Sequence, residues 1–189
     1  MRLLLCLFFT TISLFGQDYF TERYQPFNEN IPSPKKFLEY EIGSQHTRHD
    51  MIVSYLEEIA SHSDRAQIIY YGKTHEGRKL PLLLISTKEN LAQLESIQKA
   101  HLDYAQGRLS EEPDVPLIIN LAYNVHGNEP SSSEAALLAA YTLSASENDQ
   151  IQSFRKKAII FVDPTINPDG RDRHTQWANT YKGTPLVSD

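Results

Sequence analysis

The chain has 189 residues, of which 22% are charged and one is a cysteine, and its formal net charge is −6 at pH 7. A chain of this length forms one domain or part of a larger one. The acidic balance argues against nucleic acid as a partner, because phosphate binding requires clustered lysine and arginine.

The chain begins with a segment typical of a secretory signal. Arg2 supplies a positive charge, and residues 3–15 form an apolar run interrupted only by hydroxyl side chains. The run is too short to span a bilayer comfortably, so we predict a cleaved signal peptide at 1–16 and no stable membrane anchor. The exported chain, periplasmic or extracellular, would then lack Cys6, which excludes disulfides and thiolate metal sites.

The rest of the chain divides into two parts. Residues 17–45 are polar and contain three prolines, which predicts an extended N-terminal lead-in. Residues 46–189 show alternating helix-like and strand-like apolar patterns, which predict one domain. The predicted elements are a helix at 47–62, strands at 66–71 and 79–86 joined as a hairpin, a helix at 88–104, a strand at 117–123, a helix at 132–144 and a strand at 158–162.

Helices alternate with strands after the hairpin, so the predicted fold class is α/β, with a mixed, mostly parallel sheet flanked by helices. Both 117–123 and 158–162 are apolar and are predicted to be buried, the second on both faces. Ser131 and Glu134 form a capping-box pattern at the start of the helix. The residues after Pro164 lack an apolar rhythm and are predicted to be turns.

The most informative segment follows the predicted strand at 117–123. His126 and Glu129 lie three residues apart between this strand and a helix. Gly127 allows a sharp turn and Pro130 disfavours helical geometry at Glu129, so the pair is predicted on a loop at the carboxyl end of a strand, where open α/β sheets bind ligands. Zinc accepts imidazole and carboxylate. The alternative interpretation is a polar turn that only joins strand to helix.

The other histidines are weaker candidates for metal ligands. His46 and His49 flank a helix start and are predicted to be exposed to solvent. His174 is the only histidine after the fourth predicted strand, and it is therefore the one rival for a third ligand within the chain. Its charged neighbours at 171–173 predict a solvated surface, which argues against that role.

Two motifs together resemble those of the zinc metallocarboxypeptidase family, the group that includes carboxypeptidases A and B. They are His-Gly-Asn-Glu at 126–129 and Asn-Pro-Asp-Gly at 167–170. Residues 71–86 also resemble the early hairpin of that family. The resemblance extends over about 66–170 and implies that 46–189 is a partial catalytic domain whose C-terminal part is missing.

The resemblance also implies roles for residues of this chain. His126 and Glu129 correspond to the first two ligands of one Zn²⁺. The turn at 167–170 helps to shape the active-site crevice, and we interpret it as conformational: proline fixes a dihedral angle, aspartate caps and glycine takes a positive φ. The third ligand, the arginine that binds the substrate carboxylate and the glutamate base are expected beyond Asp189.

The activity implied is that of an exported zinc-dependent carboxypeptidase that removes C-terminal residues from peptides or proteins. Because most of the catalytic groups are expected beyond residue 189, the chain alone is predicted to be inactive. An incomplete sheet is also predicted to expose a strand edge and apolar faces, and so to favour aggregation.

Two alternatives remain open. The His-Gly-Asn-Glu motif also resembles zinc-dependent aspartoacylases and succinylglutamate desuccinylases, which cleave small N-acyl amino acids. The export signal and the Asn-Pro-Asp-Gly turn favour a peptidase. The second alternative is a non-enzymatic exported module that binds peptides or cell-wall fragments, and zinc content would distinguish it from an enzyme.

Overall fold

The computed structural model describes residues 22–181, so the predicted signal peptide at 1–16 lies outside the described residues. Within 22–181 no helix is both long enough and apolar enough to cross a bilayer. The helices are α1 (Pro34–Leu38), α2 (His49–Ser61), α3 (Lys88–Ala92), α4 (Leu94–Ala105), α5 (Ser132–Ala145), α6 (Asp149–Lys157) and α7 (Pro168–Thr180), and the strands are β1 (Ala66–Lys73), β2 (Lys79–Ile85), β3 (Leu117–Ala122) and β4 (Ala158–Asp163).

The strands form one mixed sheet in the order β1-β2-β4-β3. The hairpin strands β1 and β2 are antiparallel, β2 pairs with β4 antiparallel, and β3 pairs with β4 parallel. The mixed α/β class is therefore confirmed. Among the described residues the sheet is not mostly parallel, because two of its three strand pairings are antiparallel.

The core lies between one face of this sheet and the helices α2 and α5. The apolar positions of α2 repeat at helical spacing, which buries a continuous stripe. Each fully buried aliphatic side chain contributes about 1.5–3 kcal/mol. The side chains that share this core include Ile52, Tyr55, Leu56 and Ile59 from α2, Leu83 and Ile85 from β2, Leu137 and Ala140 from α5, and Ile160 and Val162 from β4.

Strands β3 and β4 are both apolar but differ in burial. The prediction that β4 is buried on both faces is confirmed, since it lies between β2 and β3 and Ile159 and Val162 are fully buried. The prediction that β3 is buried is wrong. In the described residues β3 pairs only with β4, and Leu117 is 54% exposed and Ile119 39% exposed. A short apolar run cannot by itself distinguish a central strand from an edge strand.

Two further segments differ from prediction. The described part of the predicted extended lead-in, 22–45, contains helix α1, whose first turn is capped by Ser33, and its Ile31 and Leu38 are buried in the core. The turns predicted after Pro164 are instead the 13-residue helix α7. Helix α7 has no apolar stripe, so periodicity gave no sign of it.

Candidate metal site

The β3–α5 loop, residues 123–131, carries both predicted metal ligands and is held together by Asn124. This residue has a φ of 55°, in the left-handed region that asparagine tolerates better than most residues. Its buried Nδ2 donates hydrogen bonds to the carbonyl oxygens of His126 at 3.1 Å and Glu129 at 3.2 Å. Its backbone N–H donates to Ser132 Oγ at 2.7 Å. One buried amide therefore ties both ligand positions to each other.

The structure brings the side chains of His126 and Glu129 together. His126 Nδ1 lies 3.1 Å from Glu129 Oε1, and the side chains are 74% and 47% exposed. The backbone N–H of Glu129 donates to the His126 carbonyl at 3.0 Å. The hydrogen bond from His126 lowers the pKa of the Glu129 carboxyl, which therefore stays ionised at neutral pH. The assignment of the pair as metal ligands stays a prediction.

The donor atoms suit a zinc ion. Two ligand atoms that each lie about 2.0–2.1 Å from a tetrahedral ion are roughly 3.3–3.4 Å apart. The observed separation of 3.1 Å is close to this value. Nδ1 carries a proton when it donates to the carboxylate, and binding of a metal would release that proton. The residues present therefore fit two adjacent positions around zinc.

A third ligand is not found beside this pair in the part of the chain that is described. Among residues 22–181, no three His, Cys, Asp or Glu side chains are grouped so that they could hold a metal ion. His174 instead packs against His46, with ring centroids 4.8 Å apart, and lies 6.1 Å from the ring of Trp177. Within these residues, His174 does not complete a three-ligand group with His126 and Glu129.

The prediction that His46 and His49 are exposed is wrong. His46 is half-buried and His49 is buried, with its Nε2 at 2.8 Å from the carbonyl oxygen of Lys79. Burial lowers the pKa of both imidazoles. The backbone N–H of His49 also donates to the Asp172 carboxylate of α7 at 2.9 Å. His49 therefore helps to join the starts of two helices.

The Asn-Pro-Asp-Gly motif forms the first turn of α7 and lies against the β3–α5 loop. Asn167 Oδ1 accepts a hydrogen bond from the Gly170 backbone at 3.0 Å, and the Asn167 N–H donates to the Asn124 carbonyl at 3.2 Å. Asparagine, not aspartate, is thus the cap. Gly170 is helical and has no positive φ, so that part of the interpretation is also wrong. Pro168 occupies the first helical turn, where its missing N–H costs nothing.

Gly127 is required because two backbones approach closely. A Cβ atom placed on Gly127 would lie 1.9 Å from the carbonyl carbon of Gly170 and 2.2 Å from the backbone nitrogen of Arg171. Gly127 has no positive φ, so its role is close approach and not an unusual backbone angle. The two motifs, which begin 41 positions apart at 126 and 167, are therefore in direct backbone contact.

Asp169 connects the same motif to the β1–β2 hairpin. Its carboxylate accepts hydrogen bonds from Thr74 Oγ1 at 2.7 Å, from the Glu76 backbone at 3.2 Å and from Arg78 Nη1 at 2.7 Å. Burial raises the pKa of this carboxyl, but the hydrogen bonds from Thr74 and Arg78 outweigh it, so the pKa is lowered. Arg78 Nε also donates to Asp172 at 2.6 Å. The turn of the hairpin thus fixes the start of α7.

Arg171 and Glu134 form a buried ion pair that was not predicted from the sequence. The predicted capping box is wrong: Ser131 makes no side-chain cap, and Glu134 binds Arg171 Nη2 at 2.6 and 2.8 Å. Arg171, predicted to be solvated, is fully buried, and burial lowers the pKa of its guanidinium. The sequence shows only that Arg171 directly follows the Asn-Pro-Asp-Gly motif. No apolar periodicity surrounds this position, so its burial could not be predicted.

Fold and site together define an α/β protein with a candidate metal centre at the carboxyl end of a strand. Residues 52–184 match the Peptidase M14 family model, described as zinc carboxypeptidase. The chain therefore belongs to the zinc carboxypeptidase family, as the motifs implied. A comparison with curated protein sequences finds no match to this chain.

Two solved structures are similar to this fold. The crystal structure of thrombin activatable fibrinolysis inhibitor (TAFI) aligns with a TM-score of 0.56 at 14% identity, covering 83% of this chain and 33% of that protein. Carboxypeptidase A from Helicoverpa armigera aligns with a TM-score of 0.53 at 17% identity, covering 92% of this chain and 36% of that protein. The chain thus spans about a third of the length of each.

Proposed function

We propose that this chain supplies part of the active site of an exported zinc-dependent carboxypeptidase, with His126 and Glu129 as two protein ligands of one Zn²⁺. The observation that carries the proposal is the 3.1 Å approach of His126 Nδ1 to Glu129 Oε1 on the β3–α5 loop. The membership of the chain in the zinc carboxypeptidase family supports a peptidase over an N-acyl amino acid deacylase or a binding module.

The chemistry of the pair follows from its own atoms. Once Nδ1 has lost its proton, His126 offers the lone pair of that nitrogen, and Glu129 offers a carboxylate that the N-terminal end of α5 favours as an anion. Both side chains reach solvent, which leaves room for a peptide to approach. When bound, zinc supplies a Lewis acid that polarises the scissile carbonyl and activates water.

The substrates proposed are the C-termini of peptides or proteins. We further propose that a third histidine ligand, an arginine for the terminal carboxylate and a glutamate base lie beyond Asp189. An arginine suits that carboxylate because its guanidinium forms two parallel hydrogen bonds with it. The 189-residue chain by itself is then expected to bind zinc weakly and to leave peptides uncleaved.

Zinc titration of the purified protein tests the ligand assignment. His126→Ala and Glu129→Ala should each lose zinc binding that the unmodified protein shows, as measured by competition with a chromophoric chelator. His75→Ala, at an exposed histidine of the hairpin turn, is the matched control and should bind normally. Equal zinc affinity in His126→Ala and the control would overturn the assignment.

Assays on the product of the complete gene test the reaction. Zinc-dependent release of C-terminal residues from peptides is expected, with loss of activity on chelation. Cleavage of N-acyl amino acids without cleavage of peptides would instead support the deacylase alternative. Peptide cleavage by the isolated 189-residue chain would contradict the proposal that essential groups lie beyond it.

A further inference from the structure

We infer that Arg171 and Glu134 are positioning residues for the candidate metal ligands. The buried guanidinium holds the backbone carbonyls of Glu129 and Pro130, and this keeps the Glu129 carboxylate beside the His126 ring. The inference rests on the proposed function, in which these two side chains bind zinc. Arg171 contacts the β3–α5 loop only through backbone oxygens. It therefore affects the two candidate ligands indirectly, by holding the loop backbone in place.

The donors of Arg171 are fully used. Nε donates to the Thr47 carbonyl at 3.1 Å, Nη1 lies 3.4 Å from the Glu129 carbonyl and 3.5 Å from the Pro130 carbonyl, and Nη2 binds the two Glu134 oxygens at 2.6 and 2.8 Å. An arginine has five N–H donors in a rigid, planar arrangement, and the five contacts match that number. A lysine has a compact ammonium with three N–H donors, so it cannot make all five contacts.

Glu134 fixes the position of the guanidinium. Its carboxylate is buried within the first turn of α5, and besides Arg171 it accepts the Thr47 backbone N–H at 2.7 Å. Thr47 thus donates to Glu134 and accepts from Arg171, which closes a buried ring of hydrogen bonds. Glu134 and Arg171 therefore connect α5 with α7, and both bind Thr47, which precedes α2. These contacts lie beside the C-terminal end of the β3–α5 loop.

The backbone of Glu129 is held from two sides. Its carbonyl accepts from Asn124 Nδ2 at 3.2 Å and lies within reach of Arg171, while its N–H donates to His126. With the backbone fixed, the Cβ atom of Glu129 has a fixed position relative to the His126 ring, and this limits where the carboxylate can lie. Metal affinity depends on such supporting contacts, whose loss typically weakens binding about 10–100-fold.

Stability alone does not account for a buried ion pair here. Replacing such a pair by apolar side chains of similar volume is often neutral or stabilising. An apolar pair would, however, leave the carbonyls of Thr47, Glu129 and Pro130 without their arginine donor. Positioning of the loop and stability of the fold can therefore be separated by experiment.

The first test is Arg171→Lys, which keeps a positive charge beside Glu134 and loses the fork that reaches the loop. We expect the zinc dissociation constant of the folded protein to rise at least about 10-fold. The matched control is Arg155→Lys, at an equally buried arginine that binds the Leu143 and Ser146 carbonyls near the α5–α6 connection. The control should lose stability and keep its zinc affinity.

The second test removes both charges. The double variant Arg171→Met with Glu134→Leu leaves the buried N–H and carbonyl of Thr47 unpaired, so its melting temperature should fall. The protein that remains folded should bind zinc about 10-fold more weakly. Unmodified zinc affinity in a folded sample of either Arg171 variant would overturn the inference. If the ion pair served stability alone, its loss would lower the melting temperature and leave the zinc affinity unchanged.

Hydrogen exchange in zinc-free protein separates this inference from the proposed function. The Glu129 amide, bonded to the His126 carbonyl, should exchange faster in Arg171→Lys and at its ordinary rate in Arg155→Lys. If zinc binding does not depend on His126, the proposed function fails, and the exchange rate still decides the positioning role. Unchanged exchange at Glu129 in Arg171→Lys would overturn that role whatever the zinc titration shows.

Discussion

Helices α2 and α7 are both 13 residues long, yet they are held in place by different forces. Helix α2 buries an apolar stripe that includes Ile52, Tyr55 and Leu56. Helix α7 buries Pro168, Arg171 and Thr175, and its N-terminal half is anchored by hydrogen bonds and ion pairs. Non-directional apolar packing suits a core, whereas directional polar contacts place a loop accurately. Of these two helices, the one that contributes less apolar packing shapes the candidate site.

The largest effect expected is that of Gly127→Ala, which tests the contact between α7 and the β3–α5 loop. Its Cβ would overlap backbone atoms of Gly170 and Arg171, which cannot move aside as a flexible side chain could. We expect a loss of more than about 4 kcal/mol in the free energy of unfolding, measured by chemical denaturation.

Gly72→Ala is the control for this substitution. The added methyl group would lie 3.9 Å from Leu80 Cδ1, an ordinary van der Waals distance. This variant should stay within about 1 kcal/mol of the unmodified protein. A Gly127→Ala protein as stable as the control would show that the two motifs do not touch as described.

A core substitution in α2 should separate stability from site geometry. Leu56→Ala removes a fully buried side chain and should cost about 2–5 kcal/mol in unfolding free energy. The zinc affinity of the protein that remains folded should be unchanged, because Leu56 belongs to the apolar core, whose buried residues include none from the loop. A parallel fall in zinc affinity would mean that the core and the site cannot be treated as separate regions.

A smaller effect is expected for Asp169→Asn at the start of α7. The substitution removes the charge that Arg78 and Thr74 bind, and their contacts are partly exposed, so we expect a loss of about 1–2 kcal/mol. Asp114→Asn, at an exposed position, should change the unfolding free energy by less than about 0.5 kcal/mol. If the two substitutions had equal effects, the contact between Asp169 and the hairpin would not stabilise α7.

The smallest effect expected concerns pH and His49, where α2 meets α7. Because burial lowers the pKa of His49 below 6.5, the unfolded chain binds the proton more readily than the folded one. Stability should therefore fall as pH decreases from about 7 towards 5. A proton on Nδ1 would be buried, and Nδ1 has no hydrogen-bond partner in the described structure.

His49→Gln tests this by removing the titration while keeping an amide that can reach the Lys79 carbonyl. Thermal unfolding at several pH values should show a shallower dependence on pH than in the unmodified protein. His75→Gln, on the exposed hairpin turn, should leave the dependence as it is. If His49→Gln and His75→Gln give the same pH profile, the buried imidazole is not a source of acid sensitivity.

Those parts of the fold that depend on apolar periodicity could be predicted from the sequence. Helix α2, the hairpin, helix α5 and strand β4 were all found in this way. The position of β3 at the sheet edge was not, because neighbour relations depend on pairing and not on the composition of one strand. Helix α7 was missed because Arg171 and Thr175 are polar residues buried by specific partners, and periodicity assigns such residues to the surface.

The loop that carries the candidate ligands could be predicted from the sequence, but the residues that support it could not. Glycine and proline around 126–130 indicated a loop, and the structure brings His126 and Glu129 to within 3.1 Å. The ion pair of Glu134 and Arg171 was not recognised, because these residues contact partners up to 124 positions away along the chain. Contacts of that range become visible only when the chain has folded.

The bonds of Arg171 also constrain the order of events during synthesis. Thr47, Glu129 and Glu134 supply the acceptors and precede Arg171 in the chain, so they emerge from the ribosome before it. Until α7 emerges, the carbonyls of Glu129 and Pro130 have no arginine donor, and Gly127 lacks its contact with the backbone of Gly170 and Arg171. The loop therefore acquires its final shape only after synthesis has passed residue 171.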